Sequence, residues 1–273
     1  MLKNIPYLGS GLGYRPEIAK QISANRDKID FVEIVTENYI GSSKAFTELA
    51  AIRDSFKVIP HGVGLSIGTP VLDKGHLLKI KQACGIIDAP YYSEHMCMTK
   101  VPGLDSGHLA PLWFTNKTLE VVINNVNELQ NYLGIPLILE NITYKVKIPN
   151  GTMSQEDFFG KVIEATGCGI LLDVTNVHTN AYNHDWDPFE FIDNMPLDNI
   201  VQLHTAGGFY TKDQAELVDS HSAKVEEKTW KLLEYVHKKA SIRGVLLEHD
   251  NNFPEDFEVL LKQVERARKV LNT

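Results

Sequence analysis

The stretch Gly169-Ile-Leu-Leu-Asp-Val-Thr-Asn-Val-His178 decides how this chain folds. Its apolar run has the length of a strand, begins at a glycine and stops at a carboxylate, Asp173. A short run without polar alternation marks a strand buried on both faces, as in parallel sheets covered by helices. Two more side chains with donor atoms, Asn176 and His178, follow within five residues of Asp173.

The same form recurs on both sides. Residues 31–37, 58–61, 91–95, 136–141, 201–204 and 244–250 are apolar runs with a carboxylate or imidazole at or near their ends, and 8–13 is a shorter, Gly-rich run. Helical patterns separate them. Residues 115–133 carry Leu119, Val122, Ile123, Val126 and Leu129 on one stripe. Ser154 is placed to cap a helix, with Met153 and Phe158 as its hydrophobic staple, and Pro188 opens another after Asp187. Eight strands alternating with helices, in a chain close to the roughly 250 residues such folds need, predict an α/β protein with a (β/α)8 barrel. No linker or shift of composition divides residues 1–273, so one domain is expected. The long connection 96–114 predicts a lid or binding loop.

In a barrel the C-terminal ends of all strands meet at one mouth. Six predicted ends carry His61, His95, Glu140, Asp173, His204 and Glu248, although Asp, Glu and His make up only about one-sixth of the chain. Side chains alternate along a strand, so Glu94 and His95 face opposite ways; we expect His95 to point inward and Glu94 to be structural. A lone histidine or carboxylate at a strand end is ordinarily a satisfied polar group. Four together without a cation would cost on the order of several kcal/mol in desolvation and repulsion. A metal removes that cost, and Glu140 is the candidate to bridge two ions. The donors are nitrogen and oxygen, which suits iron, zinc or manganese. The cysteines, Cys84, Cys97 and Cys168, form no paired motif and read as reduced structural thiols, with Cys97 close to His95. Arg15 reads either as a grip on a substrate carboxylate or as half of an ion pair.

The composition narrows the remaining classes. A net charge of −8 disfavours nucleic acid as a partner. No apolar run reaches the roughly 18 residues of a membrane span, and the N-terminus lacks the apolar core of a signal peptide, so cytoplasmic residence is expected. Serine-hydrolase, nucleotide-binding P-loop and zincin motifs are missing.

The segments 11–17 (Gly-Leu-Gly-Tyr-Arg-Pro-Glu), 61–68 (His-Gly-Val-Gly-Leu-Ser-Ile-Gly), Ser93-Glu-His95, Leu139-Glu-Asn141, 172–177 (Leu-Asp-Val-Thr-Asn-Val), Asp219-Ser-His221 and Leu247-Glu-His-Asp250 come in an order and spacing that resembles the multinuclear non-heme iron-dependent oxidases. The resemblance covers nearly the whole chain. It implies a xylose-isomerase-like barrel, two or three iron ions, and dioxygen-dependent modification of a ribosomally made precursor peptide. The modified residue in the methanobactin biosynthetic member and its relatives is commonly cysteine, sometimes aspartate or asparagine. Such enzymes often work with a separate peptide-recognition protein.

The barrel is also similar to endonuclease IV, whose three-zinc layout serves as a template. By that resemblance, His61, His95 and Glu140 hold one ion, Glu140, Asp173, His204 and Glu248 the next, and Asn176, Asp219 and His221 a third. Asn176 stands where the endonuclease has histidine, which fits the oxidases. His178 stands where the oxidases often have tyrosine, so it is expected in a supporting or substrate-facing place. Further departures, Gly208, Ser222 and His249, lie around the ligand positions. The expectation is an oxidase in which Glu140, Asp173, His204 and Glu248 frame the reactive ion. The alternatives are a metal-dependent phosphodiesterase of the endonuclease type and, third, a non-enzymatic metal-binding scaffold.

Overall fold

A computed structural model describes residues 2–101, 103–146 and 149–273. The barrel strands are β1 (Gly9–Gly13), β2 (Phe31–Val35), β3 (Val58–Gly62) and β4 (Tyr92–His95). An antiparallel hairpin, β5 (Met98–Val101) and β6 (Leu104–Ala110), follows. The barrel resumes with β7 (Leu137–Glu140), β8 (Gly169–Asp173) and β9 (Ile200–Thr205). After a two-residue-per-strand hairpin, β10 (Phe209–Tyr210) and β11 (Leu217–Val218), it ends with β12 (Gly244–Leu247).

The eight barrel strands close in the order β1-β12-β9-β8-β7-β4-β3-β2, every neighbouring pair parallel. The expected (β/α)8 barrel is therefore present. Helices α1 (Ala19–Ala24), α2 (Ser43–Arg53), α3 (Lys74–Ile87), α4 (Asn116–Leu133) and α5 (Gln155–Thr166) connect successive barrel strands. Between β8 and β9 stand two helices, α6 (Val174–His184) and α7 (Pro188–Asp193); α8 (Glu227–His237) and α9 (Glu258–Leu271) complete the ring.

Local chemistry sets these boundaries. Ser42, Asp73, Thr115, Ser154 and Asp187 each accept a backbone N–H from the first turn of the helix that follows. Gly134 and Gly167 end α4 and α5 in the left-handed conformation that glycine adopts without strain. The apolar residues divide into two clusters. Phe31, Ile59, Tyr91, Ile138, Leu171, Val201 and Leu246 fill the lower interior of the barrel. A larger cluster lies between strands and helices, with residues such as Val32, Tyr92, Leu139, Leu172, Phe158 and Trp230. Gly11 leaves room for the interior ring of Phe31, which a Cβ at that position would meet at 2.6 Å.

Two local features differ from the sequence reading. The connection 96–114 is largely the hairpin β5–β6, with all of β6 exposed except Ala110, which is half-buried. Strand β9 carries a bulge: Ile200 pairs with Ile170 but Gln202 with Leu171, leaving Val201 as an extra residue. A bulge changes which residues face inward beyond it. Gln202 and His204 thereby share the interior with Leu171 and Asp173, their partners across the ladder.

Candidate metal centre

Register brings the strand ends into one layer. His95 lies beside Glu140 across β4 and β7, and Asp173 beside His204 across β8 and β9. Glu248 extends the ladder beyond β12 by donating its N–H to the Thr205 carbonyl at 2.9 Å. Alternation along β4 turns Tyr91, Ser93 and His95 inward, and Glu94 points away as expected. Its carboxylate accepts from the backbone N–H groups of Leu65 and His95 and from the Tyr92 hydroxyl. Glu37 accepts from Val63 and Gly64 N–H in the same way. Two acidic side chains therefore fix the Gly-rich loop after β3.

Glu140 occupies the middle. Its Oε2 is 3.2 Å from His61 Nε2 and 3.3 Å from His95 Nε2, and its Oε1 is 3.4 Å from His204 Nδ1. His204 Nδ1 is also 3.2 Å from Glu248 Oε2. Donor atoms of His61, His95 and Glu140 lie within 4.8 Å of one another, as do those of Glu140, Asp173, His204 and Glu248. These sets coincide with the first two groups that the resemblance implied, and both contain Glu140.

The third group gathers at the rim. His221 Nε2 is 2.8 Å from Asp219 Oδ1, and its Nδ1 faces Asp250 Oδ2 at 3.2 Å and Glu248 Oε2 at 3.4 Å. Asn176, on the first turn of α6, donates from Nδ2 to the Asn141 carbonyl, which leaves its buried Oδ1 without a hydrogen-bond partner. Asp173 caps the same helix. One oxygen accepts from Thr175 and Asn176 N–H at 2.6 and 2.9 Å, and the other has no hydrogen-bond partner.

The donor set fits a metal by its own hydrogen bonding. Asp173 Oδ2 and Asn176 Oδ1 are buried without hydrogen-bond partners, and Glu140 Oε2, His204 Nδ1, Asp219 Oδ1 and His221 Nε2 face one another or Glu248 at close range without a well-aligned hydrogen bond, although nearly all polar atoms in such positions are satisfied in folded proteins. The histidines also present the right nitrogen. The Ser93 hydroxyl can donate to the Pro60 carbonyl while accepting from His61 Nδ1, and His95 Nδ1 donates to the Gly62 carbonyl at 2.9 Å. In its neutral form each turns an Nε2 lone pair toward Glu140, the arrangement typical of metal-binding histidines.

The electrostatics carry the cost of this crowding. Burial, then the neighbouring carboxylates Glu140 and Asp219, push the Asp173 carboxyl up to about 7. Burial disfavours a charged His95, but Glu140 and Glu94 outweigh it and hold the imidazole at about 9. Burial drives His61 well below the usual histidine range, helped by the imidazoles of His95 and His204. Burial would also raise Glu248, yet His204 and His221 hold it well below the usual carboxylate range. Without metal, protons perform the charge balancing that a cation would perform.

The other expected residues fall outside this set. Arg15 lines the mouth cavity but binds Asp250 through Nη2 at 2.6 Å and Nε at 2.9 Å, so it makes the ion pair rather than presenting a free guanidinium. His178 is on α6, 3.7 Å from Glu226 Oε2, and lines a separate cavity with residues of α8. Residues two apart on a helix point about 200° apart, so Asn176 and His178 cannot both face the mouth. Cys97 is buried, and burial drives its thiol well above the ordinary value.

Three residues escaped the sequence reading. Glu33, within β2 and 3% exposed, faces His204 Nε2 at 3.0 Å, and Gln202 binds Glu33 at 2.7 Å. Asp250 joins Arg15 to His221. A carboxylate inside an otherwise apolar strand, two residues after the inward Phe31, is the signal that would have found Glu33.

The mouth opens into a cavity of about 460 Å3 lined by the hairpin residues Asp105 and Leu109, by Thr143, and by the candidate ligands other than Asp173 and His204. Among the described residues no helix is long and apolar enough to cross a membrane.

Similarity to known proteins agrees with the fold and identifies the lineage. The chain is 32% identical over 266 residues to a UPF0276 protein of Caulobacter vibrioides, covering 96% of this chain and 94% of that one. It is 34% identical over 255 residues to a UPF0276 protein of Acinetobacter baylyi, covering 90% and 86%. A UPF0276 protein of Streptomyces avermitilis is 34% identical over 278 residues, covering 99% of this chain but 56% of the relative. In fold, the chain resembles a xylose isomerase-like TIM barrel protein from Mycobacterium smegmatis, solved in complex with magnesium, at TM-score 0.59 and 13% identity over 99% of this chain and 97% of that one. A xylose isomerase domain protein from Alicyclobacillus acidocaldarius gives TM-score 0.59 and 14% identity over 97% and 98%. A family profile described as RiPP precursor modification enzyme MbnB/TglH/ChrH, RiPP standing for a ribosomally made and post-translationally modified peptide, matches residues 9–272. With barrel, buried donor cluster and matched sequence in agreement, the chain belongs to the MbnB/TglH/ChrH family of RiPP precursor modification enzymes.

Proposed function

We propose that this chain is a multinuclear iron-dependent oxidase that uses dioxygen to modify one residue of a precursor peptide, cysteine first and aspartate or asparagine second. The observation that carries the reading is the pair of donor groups sharing Glu140, with nitrogen and oxygen donors only. His61, His95 and Glu140 would hold one ion; Glu140, Asp173, His204 and Glu248 a second; Asn176, Asp219 and His221 a third. Iron bound there supplies one-electron redox chemistry and dioxygen activation, which zinc does not.

The protein's own residues do the rest. Glu140 turns Oε2 toward His61 and His95 and Oε1 toward His204, and would so take part in holding both ions. The Asn141 side chain clamps β7 to β8, accepting from Asp173 N–H and donating to the Asp173 carbonyl, and so holds Glu140 and Asp173 in register. Thr143, Asn176, Asp219 and His221 face the substrate's side of the cavity. Val35, Leu109 and Ile142 give the cavity apolar flanks against which the reacting residue would pack. The substrate residue supplies the electrons. The peptide is brought by a separate recognition protein, and the reaction belongs in a reducing cytoplasm, in keeping with three unpaired, buried cysteines.

Anaerobic iron loading followed by metal analysis and Mössbauer spectroscopy tests the reading, together with dioxygen uptake coupled to a mass change in a cysteine-containing precursor peptide. Tightly held zinc alone, with cleavage of abasic DNA, would overturn it in favour of a phosphodiesterase.

A further inference from the structure

Beneath the candidate metal centre lies a buried polar chain whose members are not ligands. The Tyr91 hydroxyl donates to Gln202 Oε1. With its carbonyl oxygen committed, Gln202 presents its amide nitrogen to Glu33 Oε2 at 2.7 Å. Glu33 in turn faces His204 Nε2, 3.0 Å from Oε1 and 3.2 Å from Oε2. Tyr91, Gln202 and His204 are fully buried and Glu33 is 3% exposed. A carboxylate in the floor of a barrel has no structural use that an apolar residue would not serve better, unless it holds a particular partner.

That partner is the imidazole of His204, whose other nitrogen looks into the cluster: Nδ1 lies 3.4 Å from Glu140 Oε1 and 3.2 Å from Glu248 Oε2. Gln202 Nε2 also approaches His204 Nε2 at 3.0 Å, so two patterns compete for the neutral imidazole, the form that can bind a metal. In one, Nε2 accepts from the amide and Nδ1 carries the proton, which blocks Nδ1 as a ligand. In the other, Nε2 donates to Glu33 and Nδ1 offers its lone pair. Both Glu33 oxygens face Nε2, at 3.0 and 3.2 Å, and the Gln202 amide already donates to Glu33 at the shorter distance of 2.7 Å, so the geometry favours the second pattern.

We propose that Glu33, oriented by Gln202 and Tyr91, is a positioning residue that keeps the proton of His204 on Nε2 and so makes Nδ1 the metal-binding nitrogen. The inference rests on the metal reading above but names the residue that gives one ligand its direction. It assigns Gln202 the task of holding Glu33 rather than that of binding His204.

The test uses Co(II) and Zn(II) as probes on the metal-free full chain. Anaerobic Co(II) titration followed by visible absorption should show Glu33→Gln binding at one class of site ten- to a hundred-fold more weakly than wild type, the usual range for such supporting partners. The site using His61 and His95 should be unchanged. Ring 15N spectra of Zn(II)-loaded wild type should place the His204 proton on Nε2 and the metal on Nδ1. That measurement needs no variant, so it stands if Glu33→Gln fails to fold. A proton on Nδ1 would overturn the inference, as would equal Co(II) affinity in a folded Glu33→Gln. A wild-type chain that takes up neither metal would instead overturn the metal reading itself, and the inference with it.

Discussion

The two sides of the candidate centre hold their histidines by different means. His61 and His95, from β3 and β4, hydrogen-bond to neutral oxygens, the Ser93 hydroxyl and the Gly62 carbonyl, with the Glu94 carboxylate farther from His95 Nδ1 at 3.8 Å. His204 and His221, from β9 and the loop after β11, rest on the carboxylates of Glu33 and Asp250. A carboxylate behind an imidazole makes its free nitrogen more basic and restricts its rotation more firmly than a neutral oxygen does. The ligand groups differ in the same sense. One contains a single carboxylate, Glu140, and the other has three, Glu140, Asp173 and Glu248. Positive charge is therefore gripped more tightly on the β8–β9–β12 side, and the weaker grip lies under His61 and His95.

Glu140 is the one residue common to both sides, and its substitution should have the largest effect. Glu140→Gln is expected to lose both ions that the carboxylate joins and to lower activity by about a thousand-fold or more, in line with removal of an essential electrostatic group. Metal content per chain checks this, and loss of a single ion would break the bridging role. Next comes the anionic support at the rim. Asp250→Asn should weaken binding at the His221 position by about ten- to a hundred-fold in a Co(II) titration. It should also free Arg15, which has no other carboxylate hydrogen bond among the described residues.

Acidity separates the sides without any substitution. Asp173 is raised from 3.8 to about 7 and His95 from 6.5 to about 9, so the metal-free folded chain binds more protons than the unfolded chain across both intervals. By linkage, the stabilising contribution of each is present at low pH and is lost as pH rises, through about 7 for Asp173 and about 9 for His95. The melting temperature of metal-free protein should therefore fall between pH 6 and pH 9 from these two groups, and metal should abolish the fall. A metal-free melting temperature that rises over that range would contradict the assignment. The smallest effect is expected from Ser93→Ala. It removes one neutral hydrogen bond behind His61, worth about 1 kcal/mol, and should weaken metal binding by less than about ten-fold. An effect as large as that of Asp250→Asn would erase the distinction between the sides.

Much of this was readable from the chain. Strand ends at His61, His95, Glu140, Asp173 and His204 are visible because an apolar run that stops at a donor is unusual, and barrel closure brings all such ends together. Alternation puts Glu94 and His95 on opposite faces, and of the two His95 is expected inward. What the sequence hid depends on contacts made at a distance. Glu33 sits one layer below the strand ends and acquires meaning only when β9 delivers His204 across the barrel. Arg15 and Asp250 are separated by most of the chain, so neither reading of Arg15 could be preferred before their pairing was seen. His178 is expected from the sequence in a supporting or substrate-facing place near Asn176, but α6 begins immediately after Asp173, which places the two on opposed faces. The hairpin within 96–114 escaped notice because its exposed strand β6 has no apolar alternation to announce it.

The bulge at Val201 works as a phase change in β9. Below it the strand is read in one frame and above it in the other, so whether the ladder bulges there decides whether an imidazole or the Leu203 side chain enters the mouth. Paired as a regular strand, the same residues would turn Leu203 inward and close the centre with hydrocarbon, whereas loss of Val201 itself would leave Gln202 and His204 opposite Leu171 and Asp173. A related chain can therefore keep this ligand with or without the extra residue, and related chains should be compared at this strand with a gap allowed just before Gln202.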